Sequence, residues 1–216
     1  MPDTARHDSL TDHCLNIIDQ AIQTLFGQPE TTGRDNPAQG IPEGNLTTAE
    51  REHHARLMRI NHTGEICAQG LYQGQALTAR SATTQTTMQQ AAAEENDHLA
   101  WCDQRIRQLG GRHSYLNPLW FTGSFALGAS AGILGDRWSL GFVAETERQV
   151  EGHLGKHLDQ INPVDQPTLC ILTQMQADEA AHGAKARAQG GASLPRPIQM
   201  AMQVASRLMT HTVYYC

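Results

Sequence analysis

The sequence predicts an all-α protein, and three observations carry that reading. Apolar residues recur at helical spacing over long stretches, the breaks between them fall at Gly, Pro and Asn clusters, and no segment alternates convincingly as a strand. The 216 residues can bury one sizeable core, so the chain reads as a single domain over 1–216 with a bundle core at about 48–190. Leu10, Cys14, Ile17, Ile18, Ala21, Ile22 and Leu25 space an amphipathic helix over about 9–26. The Pro/Gly/Thr-rich stretch 27–46 has no periodicity and reads as loop. Thr47-x-x-Glu50 is a capping box that opens a long helix to about Ser81. The next helix, near 84–109, stops at Gly110-Gly111. Asn117-Pro118 supplies an N-cap and a first-turn proline for a helix to about Leu134, closed by Gly135. Asp136 then caps a helix reaching about Ile161, ended by Asn162-Pro163. Another runs from about Asp165 to Gln189, before Gly190-Gly191. Ser193, with Pro195 and Pro197, starts a last amphipathic helix over about 195–215.

Composition excludes several classes. A net charge of -6 and the absence of any Lys/Arg run argue against a nucleic-acid partner. Cys14, Cys67, Cys102, Cys170 and Cys216 are odd in number and scattered, with no C-x-x-C, as in a reduced, cytosol-facing protein. MPDTARHDSL has no apolar core and carries acids among its basic residues, so it reads as neither a secretory signal nor a transit peptide.

The chemistry is concentrated in two short stretches. Glu95-x-x-His98, in AEENDHLAW, repeats Glu179-x-x-His182, in ADEAAHGA, each on its own predicted helix. Residues three apart share a helical face, so a carboxylate and an imidazole can reach one point and suit a divalent metal. With eleven glutamates and eleven histidines, chance supplies roughly 0.6 such pairs. A third, Glu50-x-x-His53, falls in a first turn where Glu50 serves the cap. The other two lie mid-helix among apolar or small residues, where an ionisable group needs a reason to be. In each, an acid precedes the glutamate: Glu94 and Asp178 stand four residues before the histidine of their own motif, where each could orient that ring.

A four-helix bundle builds a di-metal site from two such helices plus one inward glutamate from each of the other two. Glu65, in RINHTGEICAQG, precedes the first motif, and Glu147, in FVAETERQVEG, precedes the second. The chain thus reads as two similar helix pairs joined by an extra helix. Position favours Glu147, although Glu151 shares its face and Glu145 is close by. Four carboxylates buried together without cations would be costly, and two divalent ions neutralise them. Carboxylate-rich ligation with only two imidazoles favours iron or manganese. Such a site can hydroxylate an organic substrate, disproportionate peroxide or oxidise iron for storage, and its ligands alone do not choose.

The remaining chain favours an organic substrate. Residues 116–135, LNPLWFTGSFALGASAGILG, contain no charge, but Asn, Ser, Thr and glycines dilute their apolarity. They read as a helix in the membrane interface or a substrate wall rather than a span. Met200, Met202, Leu208, Met209, Val213 and two tyrosines make the last helix a flexible greasy surface. Gly70, Gly74, Gly152 and Gly155 would leave room for a slender ligand between helices.

NHTGE at 61–65, EENDH, FVAETERQVEGHL and DEAAHG together resemble the bacterial branch of the demethoxyubiquinone hydroxylases, from about Leu57 to the C-terminus. The resemblance implies a ferritin-like fold and two iron ions per subunit, held by Glu65, Glu95, His98, Glu147, Glu179 and His182. It also selects Glu147, because the family's second-half glutamate lies six residues before a histidine, here His153. It implies an O₂-dependent di-iron monooxygenase that hydroxylates a polyprenyl demethoxyubiquinol to the demethyl quinol, late in ubiquinone biosynthesis. Such enzymes sit peripherally on the cytoplasmic face of the cell membrane, need an electron donor, and could form a homo-oligomer. His153 then reads either as a hydrogen-bond partner for a ligand or the substrate, or as an ordinary core histidine. The rivals are a non-enzymatic iron-storage protein and a ferritin-like hydroxylase of another substrate. The first 50 or so residues receive no site role.

Overall fold

A computed structural model describes residues 10–216. The segment before Leu10 lies outside the described residues, as do the side chains of Leu10 and Cys14. Seven helices and no strand occur among the described residues: α1 (Leu10–Phe26), α2 (Thr48–Thr78), α3 (Ala82–Gln108), α4 (Asn117–Leu134), α5 (Asp136–Leu158), α6 (Gln166–Ala188) and α7 (Arg196–Tyr215).

Punctuation sets most of these boundaries. Thr47 accepts from the Glu50 amide while Glu50 reaches back to the Thr47 amide, closing the capping box of α2. Asp165 caps α6 through the Thr168 amide. Three cap assignments shift. Leu116, not Asn117, is the N-cap of α4, and the Asn117 side chain instead accepts from the Thr63 hydroxyl. Gly135, at φ 114°, occupies the N-cap of α5. Asp136 therefore turns outward and accepts from the Arg80 and Ser81 amides, tying the α2–α3 turn to the start of α5. Pro195 rather than Ser193 precedes α7.

The α2–α3 and α5–α6 hairpins pack through α3 against α6, forming a four-helix bundle with α4 along the outside of α2. Its interior is layered along the axis. Met58, Cys102, Leu154 and Met175 fill one end, and Tyr72, Met88, Leu140 and Ala186 the other. All eight are buried, one pair from each bundle helix, and the candidate ligands fall in sequence between them. At the first end, buried Arg105 and His54 both engage Asp165, and Arg105 also reaches Glu43 of the loop. That network ties α2, α3, α6 and the 27–46 loop together.

Glycine decides how close α4 can come. A Cβ on Gly70 would stand 2.7 Å from the Phe121 carbonyl oxygen, and one on Gly74 would collide with that of Phe125. From the other helix, a Cβ on Gly128 would strike the Leu71 carbonyl. Each helix lays its backbone against the glycines of the other. The space expected for a ligand at Gly70 and Gly74 is thus taken by α4, because a glycine pattern does not say which neighbour uses it.

Candidate metal centre

α2, α3, α5 and α6 place Glu65, Glu95, His98, Glu147, Glu179 and His182 between the two apolar layers, all of them buried. One ligand atom from each of Glu65, Glu95, His98 and Glu179 lies within 4.8 Å of the others. His98 Nδ1 stands 2.7 Å from one Glu95 oxygen and 3.4 Å from one Glu179 oxygen. His182 Nδ1 stands 3.0 Å and 3.8 Å from the other oxygen of each. Glu95 and Glu179 therefore present one oxygen to each imidazole. Glu65 approaches His98 alone, at 3.9 Å. Glu147 borders Glu179 and accepts from the buried Tyr72 hydroxyl. Of the alternatives to it, Glu145 pairs with Arg148 and Gln149 instead.

These groups crowd one another at ion-pair distances without aligned hydrogen bonds. Both Glu95 oxygens, Glu179 Oε2 and the Nδ1 atoms of both histidines are buried with no aligned hydrogen-bond partner. Buried polar atoms are otherwise almost always satisfied. A donor set of oxygens and imidazole nitrogens that converges yet leaves its own atoms unpaired fits divalent cations.

Electrostatics agrees with that donor set. Burial, with Glu95 beside it, pushes the Glu65 carboxyl well above its ordinary value. Burial and Glu179 do the same to Glu147. Burial alone would raise Glu95, but His98 and His182 hold it below the ordinary range. Burial would lower the imidazoles, yet Glu95 draws His98 well above its usual value, and Glu179 with Glu95 hold His182 at about 11. The metal-free cluster thus keeps protons where cations would sit.

The remote nitrogen of each ring finds an acid from the opposite hairpin. His98 Nε2 lies 3.0 Å from Asp178 Oδ2, and His182 Nε2 lies 2.7 Å from Glu94 Oε2. The expected pairing within each motif is crossed, because Nδ1 faces the cluster and Nε2 is left pointing at the facing helix. A proton held at Nε2 leaves Nδ1 free as a donor atom. His153 stands apart from all of this. Its ring packs edge-on against His157, 4.0 Å between centroids, and no hydrogen bond joins it to the six. His157 in turn shares a hydrogen bond with Asn61, so this pair belongs to the packing of α2 on α5.

Three participants went unread in the sequence. Tyr72 stands two turns beyond Glu65 on the same face of α2, a spacing that could have flagged it. Arg34, from the 27–46 loop, donates to Asp178 at 2.7 Å. Its guanidinium also lies 5.1 Å over the Trp101 ring, which packs 5.3 Å from His98. No periodicity could have placed Arg34 there.

Residues 52–213 match the family model described as "Ubiquinone biosynthesis protein COQ7". The chain is 55% identical over 204 residues to a protein of Nitrosospira multiformis, covering 94% of this chain and 98% of that one. It is 52% identical over 210 residues to one of Nitrosococcus oceani, covering 97% and 98%. A third, from Chromobacterium violaceum, is 50% identical over 205 residues, covering 95% and 99%. All three are named 3-demethoxyubiquinol 3-hydroxylase.

Proposed function

The chain belongs to the COQ7 family of ubiquinone biosynthesis proteins, and from that premise we propose that it hydroxylates the ring of a demethoxyubiquinol with O₂ at a di-iron centre. The observation that carries the reading is the buried cluster of unpaired carboxylate and imidazole atoms at the middle of the bundle. Glu65, Glu95, His98, Glu147, Glu179 and His182 would hold the metal. When bound, a pair of iron ions supplies the two electrons that O₂ needs if one of its atoms is to enter the ring and the other to leave as water.

The protein's own groups define the rest. Asp178 and Glu94 keep the Nε2 protons of His98 and His182, fixing both rings with Nδ1 toward the cluster. Glu95 and Glu179 each present one oxygen to each imidazole, Glu65 stands nearest His98 and Glu147 borders Glu179, so these four carboxylates would supply the oxygen donors. Tyr72 holds the Glu147 carboxyl by its hydroxyl, and its own proton is kept there by burial and the nearby acids. Leu99, Ile66, Met175 and Trp101 exclude bulk water around them.

The substrate's prenyl tail calls for an apolar approach. Leu15, Ile18, Ile22 and Phe26 of α1 are exposed along one stripe, as are Met200, Val204 and Leu208 of α7 and Leu119, Leu127 and Ile133 of α4. No helix of the described residues is long and apolar enough to cross a membrane. These stripes are suited to lie on a bilayer, and we assign the protein a peripheral position on the cytoplasmic face of the cell membrane. An external electron donor must return the centre to its reduced state.

A single turnover tests the activity. The protein is loaded anaerobically with Fe(II), given a demethoxyubiquinol in detergent, and exposed to ¹⁸O₂. A quinol carrying one labelled oxygen is expected by mass spectrometry. Iron oxidation with the quinol unchanged would overturn the substrate assignment.

A further inference from the structure

We propose that Arg34 is a positioning residue for His98, and that it makes the two halves of the centre unequal, with the His98 half gripping its metal more tightly. The inference rests on the di-metal reading above.

The helix pairs repeat one another, but their surroundings do not. Asp178, which holds His98, is itself held twice: Arg34 donates to its Oδ2 at 2.7 Å and Gln174 donates to its Oδ1 at 2.9 Å. Arg34 also covers Trp101, the ring against the other side of His98. One guanidinium thereby engages both neighbours that fix the imidazole plane. The loop that carries it is fastened to the same helix. Thr32 donates its amide and hydroxyl to Asp97 at 2.8 Å and 2.5 Å, and Asn96 donates to the Glu30 carbonyl. Asp97 is the chain neighbour of His98, so the strap is anchored next to the ligand it steadies.

Among the described residues nothing equivalent serves His182. Its partner Glu94 makes no other hydrogen bond among the described residues, and 39% of the Glu94 side chain is exposed, against 18% for Asp178. The His182 side chain is 9% exposed and that of His98 is 0%. A ligand whose outer partner is clamped loses less freedom on binding metal, so the His98 half should fill first. Arg34 precedes the part of the chain that the family model matches, so the two-fold pattern of the bundle conceals a difference imposed from outside it.

Full-length metal-free protein is titrated anaerobically with Co(II), followed by visible absorption and calorimetry. The wild type is expected to bind two ions in distinguishable steps. Arg34→Ala should weaken the tighter step about tenfold and leave the other within about twofold. Arg34→Lys, which keeps the charge, should recover part of the loss. Glu94→Gln should weaken the other step, and far-UV circular dichroism should be unchanged in all three. Wild-type affinities for both steps in Arg34→Ala, or the same step weakened by Arg34→Ala and Glu94→Gln, would overturn the inference. A wild type that binds fewer than two Co(II) would instead remove the di-metal centre, and the inference with it.

Discussion

Asp178 on α6 accepts the Nε2 proton of His98 on α3, across the bundle, while Glu94, which precedes His98 by one turn on its own helix, serves His182 instead. Each hairpin therefore supplies the acid behind the other's histidine.

Replacing Asp178 by Asn keeps the shape and removes the carboxylate. Metal affinity is expected to fall by about 10- to 100-fold, the usual cost of losing an acid behind a ligating histidine. Competition with a coloured chelator measures it. An Asp178→Asn protein with wild-type affinity would show that the acid does not steady the ring.

Metal should displace protons. In the metal-free cluster burial and neighbouring acids raise Glu65 and Glu147, Glu95 raises His98 against its burial, and His182 is held at about 11, all in the direction that retains protons a metal would displace. Loading is expected to release about two or more protons per chain and to tighten as pH rises. Calorimetry in two buffers of different ionisation enthalpy counts them, and no buffer dependence would contradict the protonated cluster.

Acid should weaken the fold through histidines buried neutral. Burial lowers His62 to about 3 and His157 to about 2, against about 6.5 unfolded. Folded values depressed in this way mean that the unfolded chain binds more protons. The contribution is complete above about pH 6.5 and drains away as pH falls toward the folded values. Asp165, held at about 2 against its burial by His54, Thr168 and Arg105, adds a loss below about pH 4. Urea midpoints at about pH 7.5, 6 and 5 should fall less steeply for His62→Asn than for wild type. Parallel curves would show that His62 does not contribute.

Gly128→Val should force α4 away from α2, since the new Cβ meets the Leu71 carbonyl. A loss of about 1–3 kcal/mol in urea unfolding is expected. The six proposed ligands lie on other helices, so metal stoichiometry should survive. Unchanged stability would mean that the two backbones are not in such close contact.

The parts of this architecture that were legible in sequence are those that one helix writes by itself. The spacing of Glu95 with His98 and Glu179 with His182, the Thr47–Glu50 box and the long helix runs need only local periodicity and capping chemistry. What depends on the facing element was not legible. The crossing of Glu94 and Asp178 follows from where Nε2 points once Nδ1 is turned inward. Asp136 left its own helix end for the Arg80 and Ser81 amides because Gly135 already made the turn. In sequence Gly70 and Gly74 suggest room for a ligand, because a missing side chain does not name what replaces it. Arg34 lies in a stretch with no period at all.

The crossed acids also bear on how the protein would come to hold a metal. A hairpin of α2 and α3 alone presents His98 with no Asp178 behind it, and α5 with α6 alone presents His182 with no Glu94. Neither repeat is a finished site in miniature, so a chain still emerging from the ribosome offers only loose ligands until α6 has docked on α3. Capture of metal would thereby be deferred until the two hairpins dock, and a mutation that spoils the docking would be read out as a chain that never loads.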